Sequence, residues 1–249
     1  MNAAHSTLLY IDNVSVSFDG FLAINQLNLY IDAGELRCII GPNGAGKSTM
    51  MDIVTGKTRP DSGSVTYAGD INLLELDEAA IARAGIGRKF QKPTVFEALT
   101  VYENLEVAVE GDRSALFNWR NSLTRTQNET IQQVAETIGL VDQLTDPAQI
   151  LSHGQKQWLE IGMLLAQKPR LLLVDEPVAG MTHQEMDKTA ELLVALAGEH
   201  TVVVVEHDMD FVRSLNSRVT VLHQGSVLAE GSMSDIQSNA EVKRVYLGE

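Results

Sequence analysis

Gly41, Pro42, Asn43, Gly44, Ala45, Gly46, Lys47, Ser48 and Thr49 fit the pattern G-x-x-x-x-G-K-[ST] in full. Glycines let a backbone wrap closely, so that successive N–H groups aim at phosphate oxygens. A helix beginning at Lys47 would add the partial positive charge of its N-terminus. In that geometry Lys47 reaches the β- and γ-phosphates of a nucleotide, and the Ser48 hydroxyl ligates Mg²⁺. Asp175 and Glu176 form a second group, delivered by the apolar run 171–174. Open parallel sheets bind ligands at the C-terminal ends of their strands. There Asp175 would hold Mg²⁺ through water, and Glu176 would polarise an attacking water. A third group, Ser152, His153, Gly154 and Gln155, precedes an apolar helical stretch with Trp158, Leu159, Ile161 and Leu165. Ser152 and Gln155 have capping-box spacing, which alone describes a well-capped helix. A hydroxyl, a glycine and free amides at a helix start also make a second phosphate site. Two phosphate sites in one chain make sense if each completes the other in a dimer.

The elements that must position these groups are legible from periodicity. Leu9, Ile11, Val14, Val16 and Phe18 alternate with polar residues, with one break in phase, and Leu27, Leu29 and Ile31 alternate again. Turns are expected at Asp19-Gly20 and Ala33-Gly34. A short apolar run, 36–40, enters the glycine-rich loop, and a helix from Lys47 should stop near Gly56. Val65 and Tyr67 mark another strand after a turn at 61–63. From about 93 to 139 the pattern becomes helical, with Ile131, Val134, Ala135 and Ile138 on one face. Residues 111–126 break that period and read as a loop or short helix carrying Phe117 and Trp119. The runs 171–175 and 201–206 suit strands buried on both faces of a parallel sheet. Between them Thr182 and Glu185 have capping-box spacing at the head of an amphipathic helix. Residues 219–229 read as a hairpin turning at Gln224-Gly225.

The chain has 249 residues, with 19 Lys and Arg against 33 Asp and Glu, a formal net charge of −14. That length suits one large domain or two small ones. The acidic balance argues against a nucleic-acid partner, which would need a basic face. The single cysteine, Cys38, excludes a disulfide framework and reads as a small buried apolar residue. His5, His183, His200 and His223 lack ligand partners at useful spacing and read as solvated. No apolar run approaches the roughly 20 residues that span a bilayer, and the first residues do not look like a secretion signal. Any membrane role is therefore expected to be peripheral.

With these motifs in order along nearly its whole length, the chain resembles the ATP-binding subunits of ABC transporters. The resemblance implies a P-loop NTPase (RecA-like) core with a parallel sheet, an N-terminal antiparallel β-subdomain and an inserted α-helical subdomain. It makes residues 41–49 the Walker A loop, 151–155 the signature motif and 171–176 Walker B. It further implies that Gln91 is the Q-loop glutamine, binding Mg²⁺ and water, that His207 is the switch histidine, and that an aromatic at Phe18 stacks on adenine. Two subunits would then sandwich ATP and Mg²⁺ head to tail, each nucleotide lying between one Walker A and the partner's Ser152, Gly154 and Gln155. Residues 1–91 and 159–249 would form the catalytic core with its β-subdomain, and 92–158 the helical subdomain.

Within that family the segments 90–101, 176–182 and 246–248 resemble the branched-chain amino acid and urea/amide group. The stretch 151–163 resembles the urea transporter's D-type ATP-binding subunit most. The resemblance therefore implies an ATPase energising uptake of urea or short-chain amides, with branched-chain amino acids as the alternative. Its partners would be membrane permeases, a second ATP-binding subunit and, indirectly, a solute-binding protein. It would sit at the cytoplasmic face of the inner membrane. A soluble ABC ATPase outside transport is the alternative from another class. Two departures stand out: His153 replaces a glycine of the usual LSGGQ, and Thr182 stands where the D-loop usually ends in Asp.

Overall fold

The computed structural model describes residues 7–90, 94–109 and 123–247. The chain opens with two long strands, β1 (Thr7–Phe18) and β2 (Phe21–Asp32). They pair antiparallel, with Phe18 opposite Phe21 across the Asp19-Gly20 turn. Both turn residues have positive φ, the geometry that matches the right-handed twist of a hairpin. The expected break in phase is real: the register shifts between Ile11 and Val14, and Asn13 between them has φ 49°. Then come β3 (Leu36–Ile40), α1 (Lys47–Val54), β4 (Ser62–Tyr67), β5 (Ile71–Asn72), α2 (Glu78–Arg83) and β6 (Ile86–Lys89). The helices α3 (Val101–Ala108), α4 (Arg125–Thr137) and α5 (His153–Leu165) follow. The chain then alternates through β7 (Leu171–Asp175), α6 (His183–Leu196), β8 (Thr201–Val205) and α7 (Met209–Ser214). It closes with β9 (Arg218–His223), β10 (Ser226–Gly231), α8 (Met233–Ser238) and α9 (Ala240–Leu247).

Two sheets result. One is antiparallel, in the order β2-β1-β4-β5, and the other runs β10-β9-β3-β8-β7-β6. In the second, β9, β3, β8, β7 and β6 are mutually parallel and β10 pairs antiparallel with β9. This is the expected fold class, a P-loop NTPase core with an antiparallel sheet beside it. Every residue of β7 and β8 is buried, as continuous Leu and Val runs require when both faces are covered.

The parallel strands divide their side chains between two cores. Cys38, Ile40, Leu172, Val174, Val202 and Val204 face a core shared with α3, α4, α5 and α6. Ile39, Leu171, Leu173, Val203 and Val205 face a core shared with β1, β2 and α1. The two-residue strand period sends alternate side chains to opposite faces, and each layer has apolar elements to meet them. Against the first core α5 packs on α3 and α4. The approach is close at Gly162, where a Cβ would lie 2.6 Å from Ile138 Cδ1.

Capping explains where most helices begin. Thr100, Thr124, Ser152, Thr182 and Ser232 each form a complete capping box with the residue three positions on. The break expected over 111–126 ends at the Thr124 cap, and its residues 111–122, with Phe117 and Trp119, lie outside the described residues. Cys38 is fully buried as expected. His200 departs from the solvated reading. It is half-buried, and its Nδ1 lies 2.6 Å from the Pro169 carbonyl, to which it donates. His223 is likewise half-buried, His183 is exposed, and His5 lies outside the described residues.

Candidate functional site

Residues 41–46 bridge the C-terminal end of β3 to the first turn of α1. Gly46 takes φ 100° at the helix cap, and a Cβ there would lie 2.8 Å from the Ala23 carbonyl oxygen. A Cβ on Gly41 would lie 2.3 Å from the Leu222 carbonyl oxygen. Backbone packing from β2 and β9 thus admits glycine at both ends of the loop. The loop is also stitched from behind. Ala45 N–H donates to Pro42 O, the Gly225 amide donates to Ala45 O, and Asn25 N–H donates to Gly225 O, all at 2.9–3.1 Å. Unlike the five boxed helices, α1 has no side-chain cap. Its leading amides are held rigidly and left for an anion.

Lys47 turns back over this cradle, donating to Gly41 O at 2.7 Å and Pro42 O at 3.1 Å. Burial pushes its ammonium below the usual lysine range, against the pull of Glu176 and Asp175. Phe21, Ala23, residues 43–49, Glu176 and Val205 enclose a cavity of about 250 Å³. The structure therefore brings Asn43, Gly44, Ala45, Gly46, Lys47, Ser48, Thr49 and Glu176 together, as the motifs require.

Asp175 ends β7 in a buried position, with Arg88 Nη2 3.4 Å from its Oδ2. Burial raises its pKa and the Arg88 guanidinium offsets part of that rise. Its Oδ1 is buried without a hydrogen-bond partner among the described residues. An orphaned carboxylate oxygen at the end of this strand fits a hydrated Mg²⁺. Among the described residues no three His, Cys, Asp or Glu side chains form a metal centre. Phosphate oxygens would have to complete the shell begun by Ser48 and Asp175, which suits a cation that arrives with its nucleotide.

Glu176 adopts φ 44°, a left-handed conformation that strains a non-glycine residue. Its amide is fixed to Val205 O at 2.9 Å. Its Oε1 lies 3.5 Å from His207 Nδ1, so the residues expected as general base and switch histidine are neighbours. Beneath them sits Glu206, buried and unassigned by the sequence reading. Its Oε2 accepts from the amides of His207 at 2.8 Å and Asp208 at 3.2 Å, and burial raises its pKa. It fixes the backbone that carries His207. The only sequence signal was an acid ending an apolar run.

Arg88 and Lys89 were also missed. Arg88 joins Asp52 on α1, at 2.6 Å, to Asp175. Lys89, fully buried, lies 3.8 Å from Glu160 on α5. Thr94 donates to the same Glu160 at 2.8 Å. Gln91, between Lys89 and Thr94 in sequence, lies outside the described residues.

Phe18 is exposed at the tip of the β1–β2 hairpin, and its cross-strand partner Phe21 is the aromatic that lines the cavity. Ser152, Gly154 and Gln155 are not among the cavity's walls. They head α5, where Ser152 Oγ accepts from Gln155 N–H at 3.1 Å. Thr182 caps α6 through Glu185, as a helix cap should.

Comparison with known proteins agrees with this geometry. Residues 24–179 match the ABC transporter family. The chain is 36% identical to LivG of Escherichia coli K12, described as a high-affinity branched-chain amino acid transport ATP-binding protein, over 97% of this chain and 98% of LivG. It superposes on the ADP conformation of MJ1267, an ATP-binding cassette of an ABC transporter, with a TM-score of 0.85 and 28% identity, covering 98% of this chain and all of that one. On the dimeric structure of the bacterial ABC transporter cassette MJ0796 the TM-score is 0.73, at 28% identity and coverage of 91% and 99%. Among the described residues no helix is long and apolar enough to cross a membrane. From cradle, strand end and kinship together, this chain belongs to the ABC transporter family as an ATP-binding subunit, an ATPase.

Proposed function

We propose that the chain is the ATP-hydrolysing half-site of an importer for branched-chain amino acids, seated on permease subunits at the cytoplasmic face of the inner membrane. The observation that carries the ATPase reading is the cavity in which uncapped α1 amides and Lys47 face Glu176. The solute class rests on the kinship with LivG. A second reading, urea or a short amide, rests on the segment 151–163 and its resemblance to the D-type urea subunit.

In this reading the loop amides and Lys47 hold the β- and γ-phosphates. Ser48, Asp175 and Gln91 would hold Mg²⁺, which neutralises phosphate charge when bound. Glu176 takes the proton of the attacking water. His207, anchored by Glu206, orients Glu176 and the γ-phosphate. The aromatic pair Phe18 and Phe21 supplies the adenine platform. Ser152, Gly154 and Gln155 meet the γ-phosphate held by a partner ATP-binding subunit, identical or related. Phosphoryl transfer needs chiefly positioning and charge neutralisation, so hydrolysis waits on closure of two subunits. Residues 92–158 act as the helical arm that carries closure to the permeases, and a solute-binding protein delivers the cargo.

The test is uptake by cells carrying the chain with its own permeases, using labelled leucine and labelled urea in parallel. ATP-dependent leucine uptake that disappears in Glu176→Gln is the expected result. Urea uptake without leucine uptake moves the assignment to the second reading. Uptake that persists undiminished in Glu176→Gln takes Glu176 out of the general-base role.

A further inference from the structure

The phosphate-binding end of α5 already holds an anion that belongs to the chain itself. Ser152 Oγ donates to Glu185 Oε1 at 2.8 Å, and the same carboxylate lies against the Gly154 backbone. Its other oxygen, Oε2, accepts from the Thr182 amide at 3.0 Å and from Thr182 Oγ1 at 2.9 Å. One carboxylate therefore caps two helices, its own α6 and the neighbouring α5. The fit is tight: a Cβ on Gly154 would lie 2.6 Å from Glu185 Oε1. These donors, the Thr182 amide foremost, hold the Glu185 carboxyl below the usual glutamate range. A parallel bond ties the same two segments. His153 Nε2 lies 3.0 Å from the Ala179 carbonyl oxygen. Both departures from the family pattern, His153 and Thr182, thus belong to one cluster that joins the start of α5 to the segment leading into α6.

We propose that Glu185 is an internal stand-in for the partner's γ-phosphate, a latch that must leave Ser152 and Gly154 before the nucleotide sandwich can close. The inference rests on the reading of those two residues as phosphate donors. A serine hydroxyl has one proton and an amide has one, so each serves a single anion at a time. A γ-phosphate approaching these donors meets a carboxylate already seated on them and is repelled by it. ATP brings an anion able to take over the donors. ADP, which ends at the β-phosphate, brings none to that position, and the latch stays shut. Glu185 is thus a positioning residue that makes closure depend on the terminal phosphate and sets the ATP concentration at which it occurs.

The test measures MgATP-driven dimerisation by sedimentation velocity in the slowly hydrolysing Glu176→Gln chain. Glu185→Gln removes the charge yet keeps an acceptor for the Thr182 amide. Glu185→Asp keeps the charge and the α6 cap but is one methylene too short for Ser152. Both should lower the half-dimerising MgATP concentration about tenfold, the worth of one charge-assisted hydrogen bond lost from the open state. In the nucleotide-free chain, the melting shift caused by Glu185→Gln should shrink by roughly half or more once Ser152→Ala is present, because neighbours in contact are not additive. Strictly additive melting shifts, or curves that superimpose on the parent or move to higher MgATP, overturn the latch alone. A parent that stays monomeric at saturating MgATP overturns the sandwich reading, and the latch with it.

Discussion

Lys47 rests on the carbonyls of Gly41 and Pro42, an arrangement an ammonium leaves only for a stronger acceptor. Phosphate oxygens are that acceptor. Lys47→Ala should therefore fold but lose the thermal stabilisation conferred by MgATP, about 2.7 kcal/mol for wild type at a ligand concentration one hundred times Kd. A variant protected as well as wild type in the same melt would take Lys47 out of the phosphate site. Glu176 does a different job. Its strained backbone and its contact with His207 aim a carboxylate into the cavity without adding positive charge to the cradle. Glu176→Gln should keep that protection and cut turnover on the order of 10²–10⁴-fold, the usual share of a general base. Phosphate release at near-normal rate would assign the proton to another group. The adenine platform separates the two hairpin aromatics. Phe21 lines the cavity and Phe18 sits beside it across the turn. Phe21→Ala should raise the KM for ATP more than Phe18→Ala does, and the reverse order, from steady-state kinetics of the two variants, would restore Phe18 as the sole platform.

Between elements, the buried pair Lys89 and Glu160 joins the last residue of β6 to the middle of α5. Burial lowers the lysine pKa and raises the glutamate pKa, so each charge exists because the other is there. Removing one partner strands the other. Glu160→Ala should destabilise the fold by about 3–5 kcal/mol in urea unfolding, whereas an exposed pair such as Arg125 with Glu129 should matter little. A loss under 1 kcal/mol would mean that water reaches Lys89. The strand β3 gives a pH test. Burial pushes the Cys38 thiol from 9.0 up to about 11. The folded chain then keeps a proton that the unfolded chain loses between those values, so this group's contribution to stability falls as pH rises from about 9 to 11. Native protein at pH 8 should resist a thiol reagent until urea unfolds it, and rapid labelling of folded chains would refute the burial. These elements also mark how far the sequence could be read. Strands, caps and the phosphate loop were legible because period, capping spacing and glycine placement are local properties. Arg88, Lys89 and the second bond of Glu185 were not, because each acts on a residue brought near only by tertiary packing, of β6 against α1, β7 and α5 or of α5 beside α6. Glu206 was not because an acid at a strand end does not announce that it turns back onto the next two amides. His200 was misread because tertiary packing decides it too: the Pro169 carbonyl that holds it is 31 residues away. The aromatic facing the nucleotide cavity turned on the orientation of one hairpin, which alternation alone leaves open.

For the whole molecule the governing quantity is charge. One chain carries −14, and a sandwich of two copies carries twice that, 2 × −14 = −28. Closing two such bodies, each bringing a nucleotide that adds negative charge, is opposed by repulsion acting across solvent over several ångströms. That repulsion is screened, with a Debye length of about 10 Å at 0.1 M salt and about 3 Å at 1 M. The contacts that favour closure, amides and Lys47 on phosphate, act at hydrogen-bond distance and are screened much less than charges facing each other across solvent. Salt should therefore weaken the opposing term more than the favourable one. In the Glu176→Gln chain, raising NaCl from 50 to 500 mM should lower the MgATP concentration needed for half-dimerisation, the reverse of the salt response of an interface held by surface ion pairs. Sedimentation velocity across that range reads the sign directly. A dimer that falls apart as salt rises would show that exposed pairs, rather than the phosphates and their donors, hold the halves together.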